Sequence, residues 1–295
     1  MQSVVACIVT YNPSPEVRLT LCSVLSQVSA VFVIDNSSEA ESQVALARLC
    51  TDVGAILLVN SENAGVAAAF NQAARIAIGQ GYDWMLLMDQ DSVAPMELVL
   101  RLMSCAERWQ GTRPPAVLCP RSIRNDQSGE KAAIPDVDIA VKTCMNAGSI
   151  VRLSAWKSVG GYDEGFFVDY VDHDFCFKCR QHGWNVVQAS GAVMIHSPGN
   201  PTGHRFLWRR RITSNHSALR RYYIARNRIL FYRRYWRFDT SWVFHDACHA
   251  VKEALAVLLF ESGRREKLNA ICAGVVDGFR GLSGRTPRKW STSET

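Results

Sequence analysis

The chain of 295 residues has no long apolar run, little glycine or proline, and no internal repeat. Each absence excludes a class. Its first ten residues, Met1 to Thr10, carry no basic leader, and their apolar stretch is too short for a signal-peptide core or a membrane span. A cytosolic start is therefore expected. With 19 glycines and 10 prolines, and apolar segments recurring throughout, low-complexity disorder is excluded for the bulk of the chain. At 48% hydrophobic and 20% charged the chain is long enough to close a sizeable core and too polar for an integral membrane bundle. The ten cysteines are irregularly spaced and Cys7 falls in the first apolar segment, which favours free buried thiols over a disulfide framework. The formal charge of +6 gives only a mild preference for anionic partners.

What is present has the rhythm of an α/β fold. Val4 to Thr10, Val31 to Ile34, Ala55 to Val59 and Trp84 to Met88 are short apolar runs that predict strands. Helical patterns through Val17 to Leu25, residues 39 to 50 and residues 65 to 79 separate them. Strands apolar on both faces and joined by helices predict a parallel sheet covered on both sides. Cys144 to Val151, Trp184 to Ala189 and Ala192 to Ile195 predict three more strands, residues 197 to 203 a loop, and Ser241 to Glu261 a largely apolar helix. His245, Asp246, His249, Lys252 and Glu253 keep that last helix from being a convincing membrane span.

The four strands of the first part each end in a polar cluster: Thr10-Tyr11-Asn12, Asp35-Asn36-Ser37-Ser38, Asn60-Ser61-Glu62-Asn63 and Asp89-Gln90-Asp91-Ser92. In an open parallel sheet all four fall on the carboxyl edge, where ligands bind. Asp89 and Asp91, two apart on an extended chain, point the same way and make half a site for Mg²⁺ or Mn²⁺ bridging phosphate oxygens. Asn63 to Asn71 opens a small-residue helix but lacks the glycine triplet of a dinucleotide fingerprint. In the run Gly160 to Asp174, acids at 169, 172 and 174 lead into a helix; they either complement its N-terminus or offer a general base. His173, Cys176, Cys179 and His182 have the spacing of zinc ligands, yet on a helix the outer pair would lie roughly 13 Å apart, too far for one ion.

The back third changes character. From Arg205 to Arg237 there are eleven arginines and no acid, interleaved with aromatic residues. Such a segment fits a nucleic-acid groove, an anionic membrane surface or a solvated helix face.

The motifs Ile34-Asp35-Asn36-Ser37, Asn63-Ala64-Gly65 with Asn71, Met88-Asp89-Gln90-Asp91-Ser92, Gly160-Gly161-Tyr162-Asp163-Glu164 and Phe167-Val168-Asp169-Tyr170-Val171-Asp172 occur in that order. Together they resemble the inverting glycosyltransferases of family 2, which have the GT-A fold. With Leu219-Arg220-Arg221-Tyr222-Tyr223-Ile224-Ala225-Arg226-Asn227 the chain resembles more narrowly the bacterial L-rhamnosyltransferases, from the first strand to about Gly281.

The resemblance implies a GT-A domain over 1–200, with a nucleotide-sugar half at 1–120 and an acceptor half at 121–200, then a basic extension of amphipathic helices over 201–290. It implies donor contacts at Thr10, Asn12, Asp35, Asn63, Gly65, Asp89 and Arg226. It implies metal contacts at Asp91 and at His196, the latter being alternatively a locally satisfied loop histidine. Asp172 is the implied base, and Gly148, Asp169 and Asn227 are implied acceptor contacts. The implied reaction moves L-rhamnose from dTDP-L-rhamnose to a polysaccharide, O-antigen or rhamnolipid-type acceptor, with Mg²⁺ or Mn²⁺ as cofactor; another nucleotide sugar is the alternative donor. An anionic inner-leaflet lipid surface is expected as a partner and nucleic acid is not, which predicts a cytoplasmic protein peripheral to the membrane. Two positions depart from the family pattern: Val171 where many relatives have Glu, and Lys178 where Arg is common.

Overall fold

The computed structural model describes residues 3–124, 137–196, 202–206, 209–213 and 215–290. Its contacts divide the chain into two compact units, Met1–Phe167 with Val171–His196, and Val168–Tyr170 with Ser197–Thr295.

The first unit is built on a sheet of eight strands: β1 (Val4–Thr10), β2 (Ala30–Asp35), β3 (Ile56–Val59), β4 (Trp84–Asp89), β5 (Pro115–Arg124), β6 (Ile139–Val141), β7 (Ile150–Arg152) and β8 (Asn185–His196). Their order is β3-β2-β1-β4-β7-β5-β8-β6. The first four run parallel, as does the β5–β8 pair, while β7 and β6 are antiparallel to their neighbours. The expected α/β class is what the chain adopts.

Side-chain alternation assigns the two faces. Val4, Ala6 and Ile8 of β1, Val31 and Val33 of β2, and Trp84, Leu86 and Met88 of β4 face one core. Helices α1 (Val17–Leu25), α2 (Ala40–Val53) and α4 (Leu98–Arg108) cover that side with Val17, Leu21, Val24, Leu46, Cys50, Leu98, Leu102 and Cys105, spaced three and four apart. The other face is covered near β1, β2 and β4 by α3 (Val66–Gly79), whose buried side includes Ala67, Ala73, Ala74 and Ala77. Small side chains let that helix approach the sheet closely. Helices α5 (Leu153–Val159) and α6 (Val171–Gln181) complete the unit. Tyr162 stacks on Phe175 of α6 with ring centroids 4.2 Å apart and meets Phe70 of α3 at 5.4 Å.

Three expectations are corrected. The loop expected over 197–203 gives way to a strand from Thr202, and its residues 197–201 lie outside the described ones. Of the expected strand Cys144 to Val151, only Ile150 and Val151 are extended, as the start of β7, because the backbone first turns through Gly148 at φ 77°. The two short strands expected between 184 and 195 are one strand, β8, whose pairing with β5 slips between Cys119 and Arg121; Gly191, at φ 74°, absorbs the extra residues as a bulge. All ten cysteines are free thiols, and six are buried: Cys7, Cys50, Cys105, Cys119, Cys176 and Cys179.

In the second unit the described elements are the hairpin β9 (Thr202–Phe206) and β10 (Arg209–Thr213), and helices α7 (Ala218–Tyr235), α8 (Thr240–Phe260) and α9 (Arg264–Arg280). Helices α7 and α9 pack closely through Gly274 and Gly278: a Cβ on Gly278 would lie 2.7 Å from the Arg226 carbonyl oxygen, and one on Gly274 would meet that of Tyr222. The arginine segment is thus more than a solvated face. Arg221 pairs with Glu261 at 2.6 Å, Arg228 with Asp246 at 3.1 Å and Glu253 at 2.9 Å, and Tyr222 donates to Asp277 of α9 at 2.9 Å. The acids absent from α7 come from α8, α9 and the turn between them.

Candidate active site

The parallel register brings the strand ends together, with Thr10 beside Asp35, Asp35 beside Val59, and Val9 beside Asp89. Asp35 is fully buried at this edge. Its Oδ1 accepts hydrogen bonds from the Thr10 hydroxyl at 2.7 Å, the Ser37 hydroxyl at 2.5 Å and the Ser37 amide at 3.2 Å. Its Oδ2 has no protein partner. A buried carboxylate oxygen without a donor costs a few kcal/mol, about 1–3 or more for a charged group. The carboxylate is held by one oxygen, and the other is a buried acceptor that the fold leaves over.

The surrounding loops are tied to this group. Asn12, in a left-handed conformation at φ 42°, donates its amide to Ser37 Oγ and accepts at Oδ1 from the amides of Ser38 and Glu39. Asn36 donates to the Gly65 carbonyl at 3.3 Å and accepts from Asn60 at 2.8 Å and from the Ala64 amide. Asn63 caps the Gly65 amide at 3.0 Å. Gly65 itself has φ 86°, and a Cβ there would lie 2.6 Å from the Phe167 carbonyl oxygen, to which Val66 donates at 2.8 Å. Its glycine requirement therefore has a cause within the fold, the close approach of the Phe167 backbone.

At the end of β4, Gln90 clamps the Tyr11 backbone, accepting from its amide at 2.8 Å, while Thr20 donates to the Gln90 carbonyl at 2.9 Å. The clamp leaves Asp89 half-buried and Asp91 exposed. Among the described residues, no three His, Cys, Asp or Glu side chains gather into an all-protein metal cage. Two hard carboxylates at one strand end suit a cation of the Mg²⁺ type, which takes one or two carboxylates and completes its shell with phosphate oxygens and water. The donor chemistry of Asp89 and Asp91 fits such an ion.

Asp172 stands in the first turn of α6, a quarter exposed, with Oδ1 accepting from the His173 amide at 2.8 Å. His173, next in sequence, has its Nδ1 3.7 Å from the same carboxylate oxygen. Burial pushes the Tyr162 hydroxyl and the Cys179 thiol well above their ordinary values, so both stay protonated at neutral pH. The other acid of the turn, Asp174, is fully buried, 3.8 Å from Lys178, whose ammonium also donates to the Gly161 carbonyl at 2.8 Å. Lys178 thus acts inside the fold. Of the spaced His/Cys set, His173 bonds Thr143 at 2.7 Å and His182 bonds the Lys178 carbonyl at 2.8 Å.

The remaining sequence candidates are Gly148, His196, Asp169, Arg226 and Asn227. Gly148 donates its amide to Leu87 at 2.8 Å, and a Cβ there would strike the Met194 sulfur. His196 ends β8, paired in register with Arg124. Asp169, Arg226 and Asn227 belong to the second unit. Phe167, Asp169 and Tyr170, just before α6, all have positive φ, at 59°, 59° and 64°. Asn227 is fully buried and donates to the carbonyls of Val168 at 2.7 Å and Asp169 at 3.0 Å, holding this left-handed stretch. Arg226, also buried, donates to Asn227 Oδ1 and to the Gly284 carbonyl at 2.6 Å, with its guanidinium 4.9 Å from the Tyr223 ring centre. Asp169 pairs with Arg220 at 3.2 Å.

Sequence reading passed over Ser37, Asn36 and Gln90 as individual site residues and underweighted Asn71. Asn71 is buried, donates to the Tyr162 carbonyl and Glu164, and accepts from Trp156 and the Tyr162 amide. A carboxamide inside an otherwise alanine-rich buried helix face was the available signal for it.

The chain is 24% identical over 295 residues to the dTDP-rhamnosyl transferase RfbF of Shigella flexneri, covering 96% of this chain and 97% of that protein. Among solved structures it is similar to the mannosyltransferase PcManGT from Pyrobaculum calidifontis in complex with GDP-Man and Mn²⁺, at TM-score 0.57 and 16% identity, over 94% of this chain and 86% of that one. It is also similar to S. aureus TarS 1-349, at TM-score 0.54 and 13% identity, over 100% of this chain and 97% of that one, and it spans 44% of the longer TarS chain. The mostly parallel eight-stranded sheet and its helical layers are the GT-A fold of these glycosyltransferases. Residues 5–180, more than half of the chain, match the family model, and the chain belongs to glycosyl transferase family 2.

Proposed function

We propose that this protein transfers L-rhamnose from dTDP-L-rhamnose to a hydroxyl of a glycan or glycolipid acceptor, with inversion at the anomeric carbon. The observation that carries a nucleoside-bearing donor is the buried Asp35 carboxylate, fixed through Oδ1 and unsatisfied at Oδ2. The choice of rhamnose is supported by the similarity to the dTDP-rhamnosyl transferase RfbF along nearly the whole chain.

In this reading Asp35 receives an N–H or O–H of the donor nucleoside, with Thr10, Asn12 and Ser37 holding it in place. Asn63 and Gly65 shape the adjoining wall, and Asp89 lies toward the nucleoside. Asp89 and Asp91 would hold Mg²⁺ or Mn²⁺, with His196 as a further candidate ligand; the ion would supply positive charge against the diphosphate. Mn²⁺ accompanies the sugar nucleotide in the Pyrobaculum mannosyltransferase complex. Asp172 takes the proton of the acceptor hydroxyl as its oxygen bonds to the anomeric carbon and the nucleoside diphosphate departs. Gly148 and Asp169 are assigned to the acceptor side. Asn227, read as a ligand contact from the sequence, is reassigned to holding the Val168 and Asp169 carbonyls, and Arg226 to holding Asn227 and the Gly284 carbonyl.

A second reading, transfer from another nucleotide sugar, is favoured by the neighbours' GDP-Man and UDP-GlcNAc complexes. A panel of nucleotide sugars with Mg²⁺ or Mn²⁺, scored by nucleoside diphosphate release with and without lipid-linked acceptor, separates the two. Release from dTDP-L-rhamnose above all other donors is expected; no response to that donor overturns the rhamnose assignment.

A further inference from the structure

Helix α8 is amphipathic in the inverted sense. Trp242, Asp246 and Glu253 face the interior of the second unit: Asp246 accepts from Tyr170 at 2.5 Å, Tyr232 at 2.7 Å and Arg228 at 3.1 Å. Glu253 pairs with Arg228 at 2.9 Å, and Trp242 packs on Phe231 with ring centroids 5.0 Å apart. With the buried Val257 these residues recur at four, seven and four positions, one stripe of a helix. The opposite stripe is Phe244, Cys248, Val251, Leu255, Leu258 and Leu259, and it is exposed. Phe244 stands 71% exposed, Val251 61%, Leu255 50% and Leu259 58%, although soluble helices normally turn such residues inward.

The surroundings of the stripe are basic. Exposed Arg233, Arg234 and Arg237, with Trp236 and Phe238, precede α8, and exposed Arg264 and Arg265 follow it. Lys252 is exposed on α8 itself, and the backbone of β10, Arg209–Thr213, lies against the same helix. Two occupants suit an apolar stripe: a second copy of the chain or the headgroup region of a bilayer. A two-fold pair of α8 helices would set the Arg233–Arg237 cluster against itself or against Arg264 and Arg265, cation facing cation whichever way the helices run. An anionic lipid surface meets the same charges favourably and takes up the apolar side chains.

We infer that the outer face of α8, bracketed by these arginines, docks the protein in the plane of an anionic membrane surface. Among the described residues no helix is long and apolar enough to cross a membrane, so the helix lies on the bilayer and does not span it. Docking is read without turnover and stands or falls separately from the proposed transfer reaction.

The test is flotation of the full chain with phosphatidylcholine vesicles and with vesicles containing phosphatidylglycerol. Binding to the anionic vesicles, weakened by salt, is expected. The variant Phe244→Ser/Leu255→Ser should lose partitioning at least about tenfold, and Lys252→Glu/Arg265→Glu should lose most of the preference for anionic lipid, both with the melting curve of the parent. If the double serine variant melts early, Val251→Ser alone, expected to lower partitioning severalfold, takes its place. Equal binding to both vesicles, no binding, unchanged binding by the folded variants, or a dimer in sedimentation that the serine variant dissolves would each overturn the inference.

Discussion

Asp35 shows what one carboxylate does at a strand end when the fold uses only half of it. Its position after an apolar strand was legible in the sequence; the commitment of Oδ1 to Thr10 and Ser37 was not, because it depends on the register between β1 and β2. Asp35→Asn keeps an acceptor for those donors and puts an N–H where the unsatisfied oxygen was. The melting curve should stay close to that of the parent while nucleotide-sugar affinity by calorimetry falls about tenfold to a hundredfold, the cost of one opposed hydrogen bond; unchanged affinity would remove Asp35 from the donor site. His216 gives a second residue-level prediction. Burial first, then Arg220, Arg221 and Lys267, pushes its pKa from 6.5 down to about 3. The unfolded chain therefore binds a proton that the folded one refuses, so this contribution to stability is intact above pH 6.5 and falls away below it, by about 1–2 kcal/mol near pH 5. His216→Gln should flatten the acid side of a melting-temperature profile; the same acid slope in the variant would contradict the assignment.

At the scale of elements, the helix-strand alternation of the first ninety or so residues was legible because each strand is apolar on both faces and each helix has a clear stripe. Legibility fell where a glycine with positive φ reshaped a strand, as at Gly148 before β7 and Gly191 within β8. Those positions are decided by neighbouring strands and not by local pattern. The acid-free α7 was the hardest to read, since Arg221, Arg226 and Arg228 take their partners from α8, from Glu261 just after it and from the Gly284 carbonyl after α9. Its packing on α9 depends on missing side chains. Gly278→Val should push Arg226 and Ile229 of α7 away from α9 and destabilise the protein by about 1–3 kcal/mol, read by chemical denaturation, whereas Gly54→Ala, with open space around it, is limited to the backbone strain of its φ of 75°. Equal losses in the two variants would argue against tight α7–α9 contact. Asn227→Ala belongs with them: it frees two carbonyls of a left-handed stretch that ends two residues before Asp172.

Across the whole molecule, the modest charge of +6 divides into carboxylates at the strand ends and arginines in the back third, of which Arg221 and Arg228 are neutralised by acids further along the chain. The sequence pointed to the strand-end carboxylates and to the family; it hid how far the arginines and Asn227 serve the fold. The central claim, that Asp172 removes the acceptor proton while donor binding rests on the strand edge, is tested most directly by Asp172→Asn. That change keeps an acceptor for the His173 amide and removes only the basic carboxylate. Transfer from dTDP-L-rhamnose should fall by about 10²–10⁴-fold with donor affinity retained. Turnover close to that of the parent, or loss of donor binding in step with activity, would contradict the account.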